Sequence, residues 1–217
     1  MRQGHSMGRV KLPQLWIECE VRDRDNKLVD RRRLRGQTWV GNIVGLLSSM
    51  LKGCTTGTYT TSLYHSTTRA DMVDTGGTTR GLHMSCSHSL YYIGAEAPAG
   101  NDALGILVGA SATPVALGQY NLISKITNGS GAGQLLYGAT SVEDMAKGAA
   151  WSVRVVRTFS NASGAAVTVY EVGLVIRVAT AHNVTANILL ARDVIPDGVV
   201  VPDGGVLTVR YIISHSI

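Results

Sequence analysis

Charge is scarce in this chain: Asp, Glu, Lys and Arg make up 16% of its 217 residues. So few charges serve a freely solvated monomer surface poorly and suit a subunit that covers much of itself with neighbours. Cysteine is scarce too. Cys19, Cys54 and Cys86 are an odd count at wide spacing, which excludes a disulfide framework and reads as reduced thiols in a protein made in a cytosol. The longest apolar stretch, Trp39 to Leu51, is too short and too polar to span a bilayer. Met1 to Leu12 is basic but lacks the apolar core of a secretory signal. Neither secretion nor membrane contact is expected.

Catalytic signatures are also missing. No Gly-x-Ser-x-Gly elbow occurs. Gly76-Gly-Thr-Thr-Arg-Gly81 lacks the Lys-Ser/Thr ending of a phosphate loop. Glu143 and Asp144 are neighbours expected in a turn or short helix, and Asp71 and Asp74 fall in a loop, so no opposed carboxylate pair suggests itself. His83, Cys86 and His88 form the one metal-like cluster, with His65 as a conceivable fourth ligand. On a strand His83 points away from the other two, so no metal is expected. Asn128, Asn161 and Asn183 open Asn-x-Ser/Thr triplets that read as turn chemistry rather than glycosylation sites. No enzyme activity and no cofactor are expected.

What is present is strand. In Trp151 to Phe159 the apolar Trp151, Val153, Val155 and Phe159 recur at even spacing. Asn161-Ala-Ser-Gly164 turns the chain into Val167–Val178; Ile188–Ile195 and Val206–Ile213 follow. Two copies of Pro-Asp-Gly, at 196–198 and 202–204, read as two turns at one end of the fold. Period-two patterning with β-branched residues predicts a mainly β fold, an antiparallel β-sandwich or jelly-roll-like barrel. Val153, Val155, Phe159, Val169, Leu174, Leu190 and Tyr211 are its expected interior. A charge inside an apolar strand needs a partner, so Glu171 is expected to pair with Arg192 or Arg177 on an adjacent strand.

Ahead of this region lie an N-terminal β-hairpin and one short α-helix. Leu15, Ile17, Cys19 and Val21 alternate with polar residues, Asp25-Asn26 turns, and Leu28 to Leu34 returns. Trp39, Val40, Ile43, Val44, Leu47, Met50 and Leu51 recur at helical spacing, with Thr38 as N-cap and Gly53 as stop. The chain therefore divides into an arm, basic hairpin and helix (1–53), a loop-rich Thr/Ser/Gly segment expected between subunits (54–103), and the sandwich (104–217). At this length about 70% of the unfolded surface can be buried without staples.

Basic charge is concentrated between Arg22 and Arg35, where seven basic residues meet three acids. Arg31, Arg32, Arg33 and Arg35 are candidate partner contacts, on a hairpin expected to project from the body. No aromatics interleave with them, which makes nucleic acid the less favoured partner. Tyr59, Tyr64, Tyr91 and Tyr92 in the loop-rich segment are candidate contacts to a partner or a glycan.

Ile106-Leu-Val-Gly109, Thr113-Pro114, Tyr120-Asn-Leu122, Ile126, Gly133–Gly138, Arg157–Gly164, Val169–Leu174 and Leu190-Ala-Arg-Asp193 follow one another in order. This series resembles a cassette found in structural, tail or head-decoration proteins of tailed bacteriophages, over about residues 104–217. The resemblance implies a structural subunit of a virion, made in the host cytoplasm, whose partners are copies of itself and other virion proteins. The alternative is a receptor- or glycan-binding fibre module of a virion.

Overall fold

The computed structural model describes residues 14–36, 39–43, 71–81, 94–144, 150–181 and 184–216. Ten strands run through them in chain order: β1 Gln14–Arg22, β2 Leu28–Arg35, β3 Asp71–Val73, β4 Thr79–Gly81, β5 Gly105–Gly109, β6 Leu136–Asp144, β7 Ala150–Ser160, β8 Val167–Ala181, β9 Val184–Val201 and β10 Val206–Ser216. They form a five-stranded sheet ordered β2-β1-β10-β7-β6, a three-stranded sheet ordered β5-β8-β9, and the hairpin β3-β4. Every strand pairing within the sheets is antiparallel. The sheets stay open rather than closing into a barrel, so the fold is mainly β and of the sandwich kind.

One apolar cluster joins both sheets. Ile17, Val155, Phe159, Leu207 and Tyr211 enter it from the larger sheet, and Ile106, Val172, Leu174, Ile188 and Val199 from the smaller. Of the interior expected from the sequence, Val155, Phe159, Val169, Leu174, Leu190 and Tyr211 are buried, while Val153 is only half-buried.

The hairpin does not project from the body. β1 is paired along its whole length with β10, and Leu15, Ile17, Cys19 and Val21 lie in the shared core. Each of the aliphatic three is stabilised by about 1.5–3 kcal/mol on leaving water, enough to hold β1 in the sheet. The basic composition of the returning strand obscured this, because the arginines belong to β2 alone.

Over its last four strands the chain crosses between the two larger sheets twice, after β7 and before β10, and Asn161 ties these two crossings together. Its Nδ2 donates to Ala165 O at 2.7 Å and Val201 O at 2.8 Å, while its backbone exchanges bonds with Gly204 and Gly205. Buried this way, Asn161 is a turn residue and not a glycan acceptor. The two Pro-Asp-Gly copies differ in role. Pro202–Gly204 makes the turn between β9 and β10, whereas Pro196–Gly198 is a bulge within β9. Asp197 and Gly198 take φ of 61° and 64° there, and the register jumps from Val169↔Val199 to Glu171↔Val194.

Three further expectations meet a different structure. Glu143 and Asp144 end strand β6 rather than forming a turn or short helix. Trp39 and Val40, expected in the first helical turn, run beside β9: Trp39 bridges Ala191 and Val40 N donates to Leu190 O at 2.9 Å. Residues 44–53 of the expected helix lie outside the described residues. Within the loop-rich segment, residues 71–81 and 94–101 pack on their own chain, through Asn42 to Val73, Gly94 to Arg177 and Ala97 to Thr140.

Candidate assembly edge

Antiparallel ladders alternate, so each residue of a margin strand turns its N–H and C=O either toward its neighbour or away from the sheet. Gly36 N donates to Leu15 O at 2.8 Å. That bond fixes the parity of β2: with Ile17↔Leu34, Cys19↔Arg32 and Val21↔Asp30 in register, Leu34, Arg32 and Asp30 direct their backbone groups at β1. The backbone groups of Arg31, Arg33 and Arg35 therefore face outward. Among the described residues nothing pairs with them.

The other margins of the two larger sheets are met by the chain itself over part of their length. β9 is flanked by Trp39 and Val40, by Asn42 Nδ2 on Leu189 O, and by Thr75 N on Asn187 O. β5 receives Ile126 N on Val108 O and gives Ala110 N to Ser124 O. β6 is met by Ala97 and Gly100, with Asn128 Oδ1 accepting from Tyr137 N.

Side chains on β2 segregate in the same way. Arg31, Arg33 and Arg35 are exposed on the outer face of the sheet, while Asp30, Arg32 and Leu34 turn inward and are half-buried. Arg32 donates through Nε to Asp30 Oδ2 at 3.0 Å and through Nη1 to Pro196 O at 2.6 Å. The β9 bulge thus presents a carbonyl to the inward arginine, and Arg32 anchors the margin strand instead of facing a partner. Arg33 lies over the Trp16 ring, 4.7 Å from its centroid, with Nε 3.4 Å from Glu18. Glu20, opposite Arg31, is engaged at 2.8 Å by Arg22 on its own strand. Arg35 faces Trp16. Arg31 and Arg35 consequently form no ion pair among the described residues. Leu28 and Val29, 46% and 55% exposed, add apolar surface where β2 begins. Of the eight candidate contacts, Arg31, Arg33 and Arg35 come together at this margin; Tyr59, Tyr64, Tyr91 and Tyr92 lie outside the described residues.

Charged groups in the interior hold loops. Glu171 pairs with Arg192, as expected, and its carboxylate also accepts from Ile123 N at 3.2 Å and Ser124 N at 2.8 Å. Arg192 reaches Gln119 Oε1 and Thr113 O. Together they fasten residues 113–124 over β8, where a Cβ on Gly109 would lie 2.4 Å from Glu171 Oε1. The alternative partner, Arg177, meets Gly94 through its backbone.

Arg157 was not singled out by sequence. Fully buried, it donates to five carbonyls: Gly138, Leu104, Ile106, Pro98 and Asn101. Its guanidinium sits 4.7 Å from the Tyr137 ring centroid. Burial lowers its pKa to about 10, with the charges of Tyr137 and Asp102 opposing the shift. The available signal was its inward parity between Val155 and Phe159. An arginine at an apolar position of a strand must find acceptors inside.

Asp74 occupies the glycine-rich turn that was weighed as a phosphate loop. Oδ1 accepts from Gly76 N at 3.0 Å and Thr78 N at 2.8 Å, and Oδ2 from Arg80 at 2.8 Å. The donors of the turn already serve this carboxylate. Among the described residues no group of three His, Cys, Asp or Glu side chains could hold a metal, and no helix is long and apolar enough to cross a membrane. His65, His83, Cys86 and His88 lie outside them.

No family model, no curated protein and no solved structure matches this chain.

Proposed function

We propose that the protein is a non-catalytic structural subunit of a bacteriophage particle, joining its neighbours through sheet margins and loops. The observation that carries this reading is the contrast between margins. β5, β9 and the first half of β6 are met by the chain's own loops, whereas β2 offers a backbone row beside Arg31, Arg33 and Arg35 that has no partner among the described residues. An open margin is a template for another chain. The residues on which the phage resemblance rests favour the same reading. Arg157, Asn161, Glu171 and Arg192 are buried and fasten loops to the sheets, as a framework requires.

Quantitative mass spectrometry of purified particles tests the proposal. Many copies per particle are expected; absence from particles that are infectious and complete would overturn it. A receptor-binding fibre module is the second reading, favoured by the fastened loop that exposes Leu117 (77%), Tyr120 (43%) and Ile123 (53%). A few copies confined to a tip would select it.

A further inference from the structure

We propose that the open margin of β2 takes an extended acidic segment of another protein as an additional strand of the five-stranded sheet. The backbone supplies the first half of the argument. Arg31, Arg33 and Arg35 direct N–H and C=O groups outward at alternate positions, the pattern an added strand requires. A residue paired opposite each of them would lie on the same outer face, and such residues repeat about every 6.7 Å along a strand. A carboxylate at every second position would therefore meet the three guanidinium groups in register.

Charge supplies the second half. Among the described side chains, no acid is ion-paired with Arg31 or Arg35. The undescribed residues contain only basic charges, Arg2, Arg9, Lys11, Lys52, Arg69 and Lys147, so they have no acidic side chain to offer. A second copy fits no better. Pairing two β2 margins would set arginine against arginine, and like charges directly opposite are destabilising. The arginines thus guard the margin against its own kind while leaving it open to an acidic strand. Nucleic acid is disfavoured because Arg22, Arg33 and Arg154 on this face are matched by Glu20, Glu18 and Glu143. Of the other arginines on this face, Arg210 lies within the sheet opposite Glu18, and Arg31 and Arg35 sit at the margin, which does not make a phosphate-tracking stripe.

The inference rests on reading β2 as an assembly edge. Peptide capture tests it without particles, whereas copy number tests the virion reading without peptide. A labelled synthetic peptide alternating glutamate and threonine is titrated into the full-length protein. Controls are the same peptide with lysine for glutamate, and oligothymidylate. The glutamate peptide is expected to bind, with the amides of Arg31, Arg33 and Arg35 gaining exchange protection while those of Arg32 and Leu34 stay unchanged. Arg31→Gln with Arg35→Gln should weaken binding roughly tenfold at low salt. Arg33→Pro removes an outward N–H without touching the β1 ladder and should abolish binding, whereas Arg33→Gln retains part of it. Should Arg33→Pro unfold, amide protection in the wild-type protein decides alone. Equal binding of the lysine peptide, capture of oligothymidylate in place of the peptide, binding without protection of these amides, or protection that rises with protein concentration alone would each overturn the proposal.

Discussion

Arg192 on β9 donates through Nε to Glu171 Oε2 on β8 at 2.5 Å, and both side chains are completely withdrawn from solvent. The residue directly opposite Arg192 is Gly173, so the guanidinium reaches diagonally past a position with no side chain. The pair also organises residues 113–124, because Thr113, Gln119, Ile123 and Ser124 complete its hydrogen bonds. Breaking such a pair from one side leaves a charge buried without its counter-ion. Glu171→Ala should therefore cost about 3–5 kcal/mol in urea unfolding. Exchange at the Ile123 and Ser124 amides should rise even where the variant stays folded. An unchanged midpoint would show that the ion pair holds nothing.

Arg157 tests a different balance, a cation satisfied by carbonyls. Arg157→Met keeps much of the volume but strips donors from five acceptors, and the loss should be about 3 kcal/mol or more. Arg157→Lys should recover only part of that, since a single ammonium cannot reproduce the fork of a guanidinium. Urea midpoints of the three proteins would rank wild type above Lys above Met. Lys equal to wild type would mean that charge alone is required there.

The 71–81 hairpin should loosen in acid. Burial by itself would raise the Asp74 pKa, but hydrogen bonds from Arg80, Thr78 and Gly76 outweigh it and hold the carboxyl below its ordinary 3.8. Asp102 behaves alike: burial is opposed by Asn128 N–H and Lys125, and the net shift is again downward from 3.8. A depressed carboxylate pKa stabilises the fold above the unfolded value, and that contribution disappears as pH falls through the folded one. Stability should be flat from neutrality to about pH 5 and decline below 3.8, and Asp74→Asn should flatten part of that decline. Identical acid profiles for wild type and Asp74→Asn would contradict the assignment.

Cys19 should resist alkylation in the native protein. Burial pushes its thiol up to about 12, with Arg32 lowering it and Asp30 raising it to smaller extents. Reactivity belongs to the thiolate, so near pH 8 the native residue presents almost no nucleophile and no access. Iodoacetamide labelling mapped by peptide mass should mark Cys19 only after denaturant is added. Labelling at the rate of a free thiol would place β1 outside the core.

The sequence by itself determined the strands of the N-terminal hairpin and of residues 151–213, because alternation at period two is a local property that any half-buried strand must show. It also determined that Glu171 needed a cation nearby, since the cost of an unpaired buried charge does not depend on the fold. Which cation, Arg192 rather than Arg177, depended on the register of β8 against β9 and on the bulge at Pro196–Gly198. The role of Arg157 was hidden for the same reason: its acceptors come from residues 98 to 138 and meet only when β5, β6 and β7 converge. The basic hairpin was assigned to an independent arm because charge is conspicuous in a linear chain, whereas the apolar face of β1 declares its partner only when β10 arrives from the other end. Tertiary structure likewise decided which arginines of β2 are available. The parity of one hydrogen bond, Gly36 N to Leu15 O, turns Arg32 inward and leaves Arg31, Arg33 and Arg35 at a margin with no partner among the described residues.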